Sequence, residues 1–130
     1  MAAAPDNLKY LPTHEWCRIE GDVATIGVTP NAVRELGDLI YADLPGKGED
    51  VLQEIPFGEI EGTESIRELR SPADGLVEAV NPAVLSDPGV IARDPFEKGW
   101  LIRLKLDSPA RMKPLLSAAE YEQIMRKKSR

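Results

Sequence analysis

The sequence predicts a mainly β fold, a sandwich or closed barrel of short strands. Apolar and polar residues alternate along segments 23–28, 39–44 and 101–106, and this period of two is typical of half-buried strands. Turn residues rich in glycine separate the strands, for example at 20–22 and 45–48. Short strands at such spacing favour a sandwich or barrel over a parallel α/β sheet.

Each of these segments directs one set of side chains toward the core. Every second residue of a strand lies on the same face, because successive side chains point to opposite sides of the sheet. The expected core-facing sets are Ala24, Ile26 and Val28; Ile40, Ala42 and Leu44; and Ile102, Leu104 and Leu106.

A short internal helix is predicted from Thr29 to Leu36. Thr29 suits the N-cap, Pro30 the first helical position, and Gly37 the position after the helix. These end signals agree with one another, so the strands are expected to be interrupted once by a helix.

The C-terminus is predicted to be helical over residues 108–127. Ser108-Pro109 is a typical helix opening, and Ser117 with Glu120 has capping-box spacing. The length of 130 residues and a hydrophobic content of 42% indicate one domain, residues 1–130. We expect residues 1–7 to form a flexible N-terminal tail.

Composition excludes several function classes. There are 16 basic and 22 acidic residues, a formal net charge of −6, which argues against binding nucleic acid or an acidic membrane. The N-terminus has neither a basic start nor a long apolar core, so we expect a cytoplasmic protein. A single histidine, His14, and a single cysteine, Cys17, predict no metal site and no internal disulfide. Cys17 suits a buried strand position better than a reactive thiol.

A series of short segments, among them Tyr10 to Trp16, Gly21 to Thr29 and Pro56 to Pro72, runs from about Leu8 to Tyr121. In their order and spacing these segments resemble the glycine cleavage system H proteins. That resemblance implies a flattened barrel-sandwich hybrid of the lipoyl and biotinyl carrier kind, and a carrier or adaptor rather than an enzyme. No Ser/His/Asp or Cys/His arrangement contradicts this, because His14 is alone. The similar segments are Tyr10 to Trp16, Gly21 to Thr29, Leu36-Gly37-Asp38, Leu44-Pro45, Pro56 to Pro72, Ser71 to Gly75, Val77 to Asn81, Asp94-Pro95-Phe96, Gly99 to Ile102 and Ala118 to Tyr121.

One residue departs from the family pattern at its most important position. In H proteins a lysine at a hairpin tip is amide-linked to lipoic acid, and the resemblance places that position at Glu64. Counting forward from Phe57-Gly58 and backward from Pro72 gives the same register, and no lysine lies between Lys47 and Lys98. A carboxylate cannot form the amide. We therefore expect no lipoate at this hairpin and no other cofactor.

The hairpin and its surroundings are the candidate site. A partner-binding patch of mixed charge is expected at Glu61, Gly62, Glu64, Arg67 and Glu68; ordinary surface charges at a solvated hairpin end are the alternative. The resemblance further implies that Thr13, Glu15 and Glu68 surround a cleft in which a loaded arm docks, although Glu15 is equally suited to be a surface carboxylate.

Three functional hypotheses remain open. The first is a non-lipoylated H-like adaptor or regulator whose partners are glycine cleavage components, lipoate-attaching enzymes or a related sulfur-transfer complex. The second is a working glycine cleavage carrier whose cargo is held non-covalently or attached elsewhere, with Lys47 in its Gly-Lys-Gly turn as the one loop lysine to consider. The third is an obsolete paralogue without a partner.

Overall fold

Two antiparallel sheets form the body of the molecule. The computed structural model describes residues 4–107 and 112–128. Six strands form one sheet in the order β1-β2-β3-β9-β8-β5, and three form the other in the order β4-β6-β7. The predicted class, a mainly β barrel-sandwich hybrid with a short internal helix and a helical C-terminus, is confirmed.

The strands are short, between two and seven residues long. The elements are β1 Lys9–Tyr10, β2 Glu15–Glu20, β3 Val23–Val28, α1 Pro30–Val33, β4 Leu39–Asp43, β5 Asp50–Val51, β6 Pro56–Gly62, β7 Ile66–Arg70, β8 Gly75–Val80, α2 Pro82–Ser86, α3 Val90–Arg93, β9 Ile102–Leu106 and α4 Ala118–Lys128.

The core between the two sheets is built from two joined clusters of buried side chains, and a third cluster packs α4 against β1 and β2. One cluster covers the inner face of the six-stranded sheet, where the predicted alternation of β3 and β9 places Ile26 and Leu104 inside. The other lies against the three-stranded sheet and the short helices, around Ile60. Leu44 and Phe57 pack against both clusters, and they thereby hold the two sheets together.

The predicted alternation of β4 is wrong, because the strand carries a bulge. The pairing of β4 with β6 shifts between Leu39 and Tyr41, so one extra residue is inserted there. Ile40 and Tyr41 are consequently both exposed, and only Ala42 of the predicted inward set is fully buried in this strand. A bulge reverses the face of every residue on one side of it, which a simple period of two does not reveal.

The internal helix is shorter than predicted. It ends at Val33 rather than Leu36, and residues 34–36 form a turn before Gly37, which has a φ of 77°. Thr29 occupies the N-cap position without a side-chain cap bond, because its hydroxyl lies 2.6 Å from the hydroxyl of Tyr121. Contacts with distant parts of the chain therefore override the local end signals.

Two further short helices, α2 and α3, were not predicted. The start of α2 does carry a local signal: Asn81 accepts a hydrogen bond from the backbone of Ala83 at 3.0 Å, and Pro82 is the first helical residue. Asn81 also donates to the carbonyls of Lys98 and Trp100 at 2.7 Å each. The helix start is thus tied to the loop before β9.

The C-terminal helix begins later than predicted. Residues 112–117 are not helical, and Leu116 within them exchanges two backbone hydrogen bonds with Tyr10, each 2.9 Å long. The capping box is confirmed: Glu120 N–H donates to Ser117 Oγ at 3.1 Å, and Ser117 N–H donates to Glu120 Oε1 at 2.8 Å. The predicted opening at Ser108-Pro109 lies outside the described residues. No described helix is both long enough and apolar enough to span a membrane.

The single-domain organisation and the flexibility of residues 1–7 stay predictions. Within that segment, the carbonyl of Pro5 accepts a hydrogen bond from Tyr10 Oη at 2.7 Å.

Candidate functional site

The candidate site is the hairpin formed by β6 and β7. The two strands pair so that Glu61 lies opposite Ile66 and Glu59 opposite Glu68. Gly62 N–H donates to the carbonyl of Ser65 at 2.9 Å and closes the hairpin. Residues 63–65 therefore form the tip, and the side chain of Glu64 is exposed there.

The backbone of the tip is anchored to the turn that follows α1. Glu64 N–H donates to the carbonyl of Leu36 at 2.8 Å, and Thr63 N–H donates to the carbonyl of Asp38 at 2.9 Å. In return, Asp38 N–H donates to Thr63 Oγ1 at 3.2 Å. The hairpin thus presents Glu64 on a fixed backbone, while its carboxylate faces solvent.

Gly62 is required for this anchoring. A Cβ atom at residue 62 would lie 2.1 Å from the carbonyl oxygen of Leu36. That oxygen also accepts the bond from Glu64, so a larger residue would push the tip away from its support. Gly62 therefore permits the close approach of the hairpin backbone to the turn after α1.

Carboxylates line the outer face of the three-stranded sheet beside the tip. Asp43 lies opposite Glu59, and Glu59 lies opposite Glu68, so three acidic residues share one row across the strands. Like charges in direct cross-strand positions repel one another. Arg70 offsets part of this charge, with its guanidinium 3.1 Å from Glu68 Oε1, but the pair is exposed and contributes little stability.

An open cleft of about 290 Å³ lies between α1 and the edge of β7. We call it the hairpin cleft; its lining residues are Asn31, Ala32, Glu35, Leu36, Ser65, Ile66, Arg67 and Glu68. Of the three residues expected around a docking cleft, Glu68 lines it. Thr13 lies behind Arg67, whose guanidinium is 3.4 Å from the carbonyl of Thr13. Glu15 is not among the lining residues.

Glu15 is fully buried, so its interpretation as a surface carboxylate is wrong. Its Oε1 accepts a hydrogen bond from the hydroxyl of Thr13 at 2.5 Å, and its Oε2 accepts one from the backbone N–H of Arg70 at 2.7 Å. Burial raises the pKa of Glu15, and these two hydrogen bonds and the charge of Arg67 oppose that rise without cancelling it.

The bond from Arg70 gives Glu15 a definite structural role. β7 is an edge strand whose only sheet neighbour among the described strands is β6. An edge strand has unpaired backbone groups, and the carboxylate of Glu15 satisfies one of them at the end nearest β2. Thr13 and Glu15 thus close one end of the β7 edge, whereas Glu68 faces the hairpin cleft.

Comparison with known proteins supports the resemblance to H proteins over nearly the whole chain. The family model described as glycine cleavage H-protein matches residues 8–128. The chain belongs to the glycine cleavage H-protein family. Members of this family are carrier proteins and not enzymes, as the sequence predicted for this chain.

Individual H proteins are similar over almost their full length. The glycine cleavage system H protein of Acaryochloris marina is 39% identical over 118 residues, covering 91% of this chain and 92% of its own. That of Rubrobacter xylanophilus is 43% identical over 121 residues, covering 93% and 94%. The crystal structure of a glycine cleavage system H protein from Mycobacterium marinum superimposes with a TM-score of 0.84 at 36% identity, covering 92% of this chain and 97% of that chain.

A polar cluster around Tyr121 in this H-family chain was not predicted. The Tyr121 hydroxyl lies 2.7 Å from His14 Nδ1 and 2.6 Å from Thr29 Oγ1, and it accepts a hydrogen bond from Asn31 Nδ2 at 3.0 Å. Its ring stacks on Tyr10 with 4.8 Å between ring centroids. His14, which seemed isolated in the sequence, is therefore part of the contact between α4 and the body of the H-protein fold. These polar partners lie far apart in the sequence, so no local pattern identifies them.

Cys17 is buried and free, as predicted. Burial raises the pKa of its thiol to about 12, so very little reactive thiolate forms near neutral pH. Within the described part of this H-family chain, no group of three acidic, histidine or cysteine side chains can hold a metal ion.

Proposed function

We propose that this H-family chain is not lipoylated at its hairpin, and that it acts as a non-catalytic adaptor or regulator of enzymes that recognise H proteins. One observation carries the proposal: Glu64 is exposed at a tip whose backbone is anchored, at the position where the family resemblance expects the lipoyl lysine. The presenting structure is retained, and the residue that it presents is a carboxylate.

The chemistry of the hairpin does not fit lipoate. An amide to lipoic acid needs an amine, and no lysine occurs between Lys47 and Lys98. Arg67 and Arg70 do not substitute for it, because a guanidinium stays protonated. Their guanidinium groups also contact the carbonyl of Thr13 and the carboxylate of Glu68, respectively. We therefore assign no cofactor to the hairpin.

The anchored tip supports a role in protein recognition. Glu61, Gly62, Glu64, Arg67 and Glu68 form the proposed contact patch, and its mixed charges favour one orientation and fast association. A fixed backbone reduces the entropy lost on binding. Partners consistent with the family are cytoplasmic enzymes of glycine cleavage, lipoate-attaching enzymes or a related sulfur-transfer complex.

A working carrier with cargo elsewhere is the alternative. Lys47 is exposed in the turn before β5, and the hairpin cleft of about 290 Å³ is open to a non-covalently held arm. A Lys47→Arg variant that lost glycine cleavage activity would favour this alternative.

The first experiment tests lipoylation directly. The chain is expressed beside an active lipoate ligase with lipoate supplied, and intact-protein mass spectrometry is recorded for wild type, Glu64→Lys and Glu64→Gln. We expect no lipoyl mass on wild type or Glu64→Gln, and modification of Glu64→Lys at residue 64, because the anchored tip presents the new amine. Lipoylation of wild type at any lysine would contradict the proposal.

The second experiment tests adaptor binding. Affinity for a purified lipoate ligase and for each glycine cleavage enzyme is measured by calorimetry for wild type, Glu61→Ala and Glu64→Lys. The matched control is Glu78→Lys, which makes the same charge change on the exposed side of β8 in the other sheet. We expect at least one enzyme to bind wild type and the control, with about tenfold weaker binding by both hairpin variants. Equal binding by all four proteins, or by none, would refute an adaptor role for the hairpin.

A further inference from the structure

The free edge of β7 carries backbone groups that are not used within the sheet. Along an antiparallel pair, residues that bond to the neighbouring strand alternate with residues whose N–H and C=O point away from it. Gly62 N–H donates to the carbonyl of Ser65 at 2.9 Å, so this closing pair is a bonded one. Two residues further along β7, Arg67 is again bonded to β6. The N–H and C=O groups of Ile66 and Glu68 therefore point away from β6, and no described residue bonds to these groups.

Glu15 shows that an acceptor can approach this edge from outside the sheet. Arg70 lies two residues beyond Glu68, so its N–H has the same direction, and it donates to Glu15 Oε2 at 2.7 Å. The carboxylate oxygen lies where the carbonyl of a neighbouring strand would lie. Glu15 thus satisfies the outward N–H of Arg70 and leaves the outward groups of Ile66 and Glu68 available. A strand added at this edge can pair with those two residues, but it cannot continue to Arg70.

The hairpin cleft provides space beside these two residues. Ile66 and Glu68 line the cleft along β7, and Ala32 and Leu36 line it on the side of α1. The volume of about 290 Å³ corresponds to roughly ten waters at ~30 Å³ each. A strand rises about 3.4 Å per residue and lies about 4.8 Å from its neighbour, so a segment of about three residues pairs with both Ile66 and Glu68.

The side chains at the edge determine which segment fits. Ile66 and Glu68 are both exposed, and they share one face of β7 because they are two residues apart. Glu68 pairs with Arg70 through Oε1 only, so Oε2 can accept a second cation. A basic residue opposite Glu68 and an apolar residue opposite Ile66 would be favourable cross-strand neighbours. The residue between them points to the other face, inside the cleft near Ala32 and Leu36, so it must be small.

We propose that the edge of β7 binds an extended segment of a partner protein by antiparallel strand addition. The segment has a basic residue opposite Glu68, then a small residue, then an apolar residue opposite Ile66. Four backbone hydrogen bonds hold it, because Glu68 and Ile66 each exchange two with the residue that they face. This inference rests on the proposed function for the identity of the partner, and it specifies the segment by which an adaptor partner is recognised.

The test uses a peptide of sequence Ser-Lys-Thr-Val-Ser, blocked at both ends and titrated into the ¹⁵N-labelled full-length chain. We expect saturable shifts centred on the backbone amides of Ile66 and Glu68, with a Kd of about 1–10 mM. The amide of Arg70 should move less, because its N–H stays bonded to Glu15. Binding by an unstructured or side-chain-only contact would not select these alternate amides.

Two ester analogues of the peptide test the backbone bonds without adding bulk. Replacing the valine N–H with an ester oxygen removes the donor to the carbonyl of Ile66, so binding should weaken about threefold to tenfold. Replacing the threonine N–H with an ester oxygen is the matched control, because that N–H points away from β7. Its effect on the Kd should be less than about twofold.

Charge variants test the register of the added strand. Wild type should bind the lysine peptide at least about threefold more tightly than the peptide Ser-Glu-Thr-Val-Ser, and Glu68→Lys should reverse this preference. Glu78→Lys makes the same change in net charge on the exposed side of β8, so it should retain the wild-type preference. Thermal unfolding of each variant verifies that it is folded.

Several results would overturn the proposal. They are the absence of saturable shifts up to about 50 mM peptide, equal binding of the two ester analogues, and an unchanged charge preference in Glu68→Lys. Shifts of the same amides with protein concentration alone would show that a second copy of the chain covers the edge. An enzyme that binds the hairpin in calorimetry while the peptide fails would refute strand addition and leave the adaptor role standing. Peptide binding without any enzyme binding would support strand addition and refute the adaptor role.

Discussion

Glu15 and Glu64 are carboxylates in opposite environments, and each has a separate consequence for the site. Glu64 is exposed, so its effect is chemical: it replaces an amine with an acid at the tip of the hairpin. Glu15 is fully buried, so its effect is structural: it accepts the backbone N–H of Arg70 at the end of β7. The pKa of Glu15 is raised because burial disfavours its charged form more than its hydrogen bonds favour it.

Replacing Glu15 with glutamine tests this balance. Because the folded-state pKa is raised, the folded protein holds the proton of Glu15 at pH values where the unfolded chain has lost it. The stability that Glu15 contributes is therefore full below the ordinary glutamate pKa and is lost as the pH rises through the raised value. Glutamine is neutral throughout and retains an oxygen for Arg70 N–H. We expect the stability of Glu15→Gln relative to wild type to increase as the pH rises above the ordinary pKa of glutamate.

Urea unfolding of both proteins, measured at several pH values, provides this comparison. Groups other than residue 15 titrate in both proteins, so their contributions cancel in the difference. A difference that stays constant with pH, or that decreases as the pH rises, would contradict the raised pKa of Glu15.

At the scale of elements, α4 is held to the sheets by its Tyr121 hydroxyl as well as by apolar contact. Replacing Tyr121 with phenylalanine keeps the ring stacked on Tyr10 but removes the partner of His14, Thr29 and Asn31. Thr29 is buried and would lose this hydrogen bond, so we expect a loss of about 1–3 kcal/mol in the free energy of unfolding.

Tyr41→Phe is the matched control for this change, because Tyr41 is an exposed tyrosine on β4. Its effect on urea unfolding should stay within about 0.5 kcal/mol. If the two substitutions cost the same, the polar cluster makes no measurable contribution to the docking of α4.

The elements that the sequence predicts well are those determined by local pattern. β9 alternates cleanly between buried and more exposed residues, and Ala24, Ile26 and Val28 of β3 are buried as predicted, although the other face of β3 is also largely covered. β4, in the three-stranded sheet, is less regular, because its bulge depends on its pairing with β6. Contacts between distant residues leave even less trace in the sequence. The end of α1 is the clearest example, because Leu36 O accepts the N–H of Glu64, and residues so distant in sequence leave no local signal.

The candidate site likewise combines features set by local sequence with features set by contacts between distant residues. The exposure of Glu64 follows from a short polar loop between two strands, and it was predictable. The burial of Glu15 depends on Arg70, 55 residues away, and on the way the edge of β7 meets the start of β2. No period or turn signal near Glu15 contains that information, so its role required the three-dimensional structure.

At the scale of the whole molecule, Cys17 reports whether the two sheets and their core unfold together. Cys17 lies in β2, paired with Lys9 of β1 on one side and Ile26 of β3 on the other, and its side chain is in the core cluster of the six-stranded sheet. Its thiol pKa is raised from 9.0 to about 12, so at pH 8 the native thiolate fraction is about a thousandfold lower than for an ordinary thiol. A thiol reagent therefore reacts with Cys17 only after the core opens.

We expect labelling of native Cys17 at pH 8 to be more than about a thousandfold slower than labelling of a short cysteine peptide. The labelling rate should also increase with urea, with the same slope as the free energy of global unfolding, because no smaller opening exposes a residue between two paired strands. Mass spectrometry at intervals after reagent addition gives the rate, and Cys17→Ser should show no labelling. Rapid stoichiometric labelling without urea would mean that β1 and β2 separate while the remaining strands stay folded. In that case β1 and β2 would unfold separately from the rest of the fold. Thr13 and Glu15, which lie beside the end of β7, would belong to this separate unfolding unit.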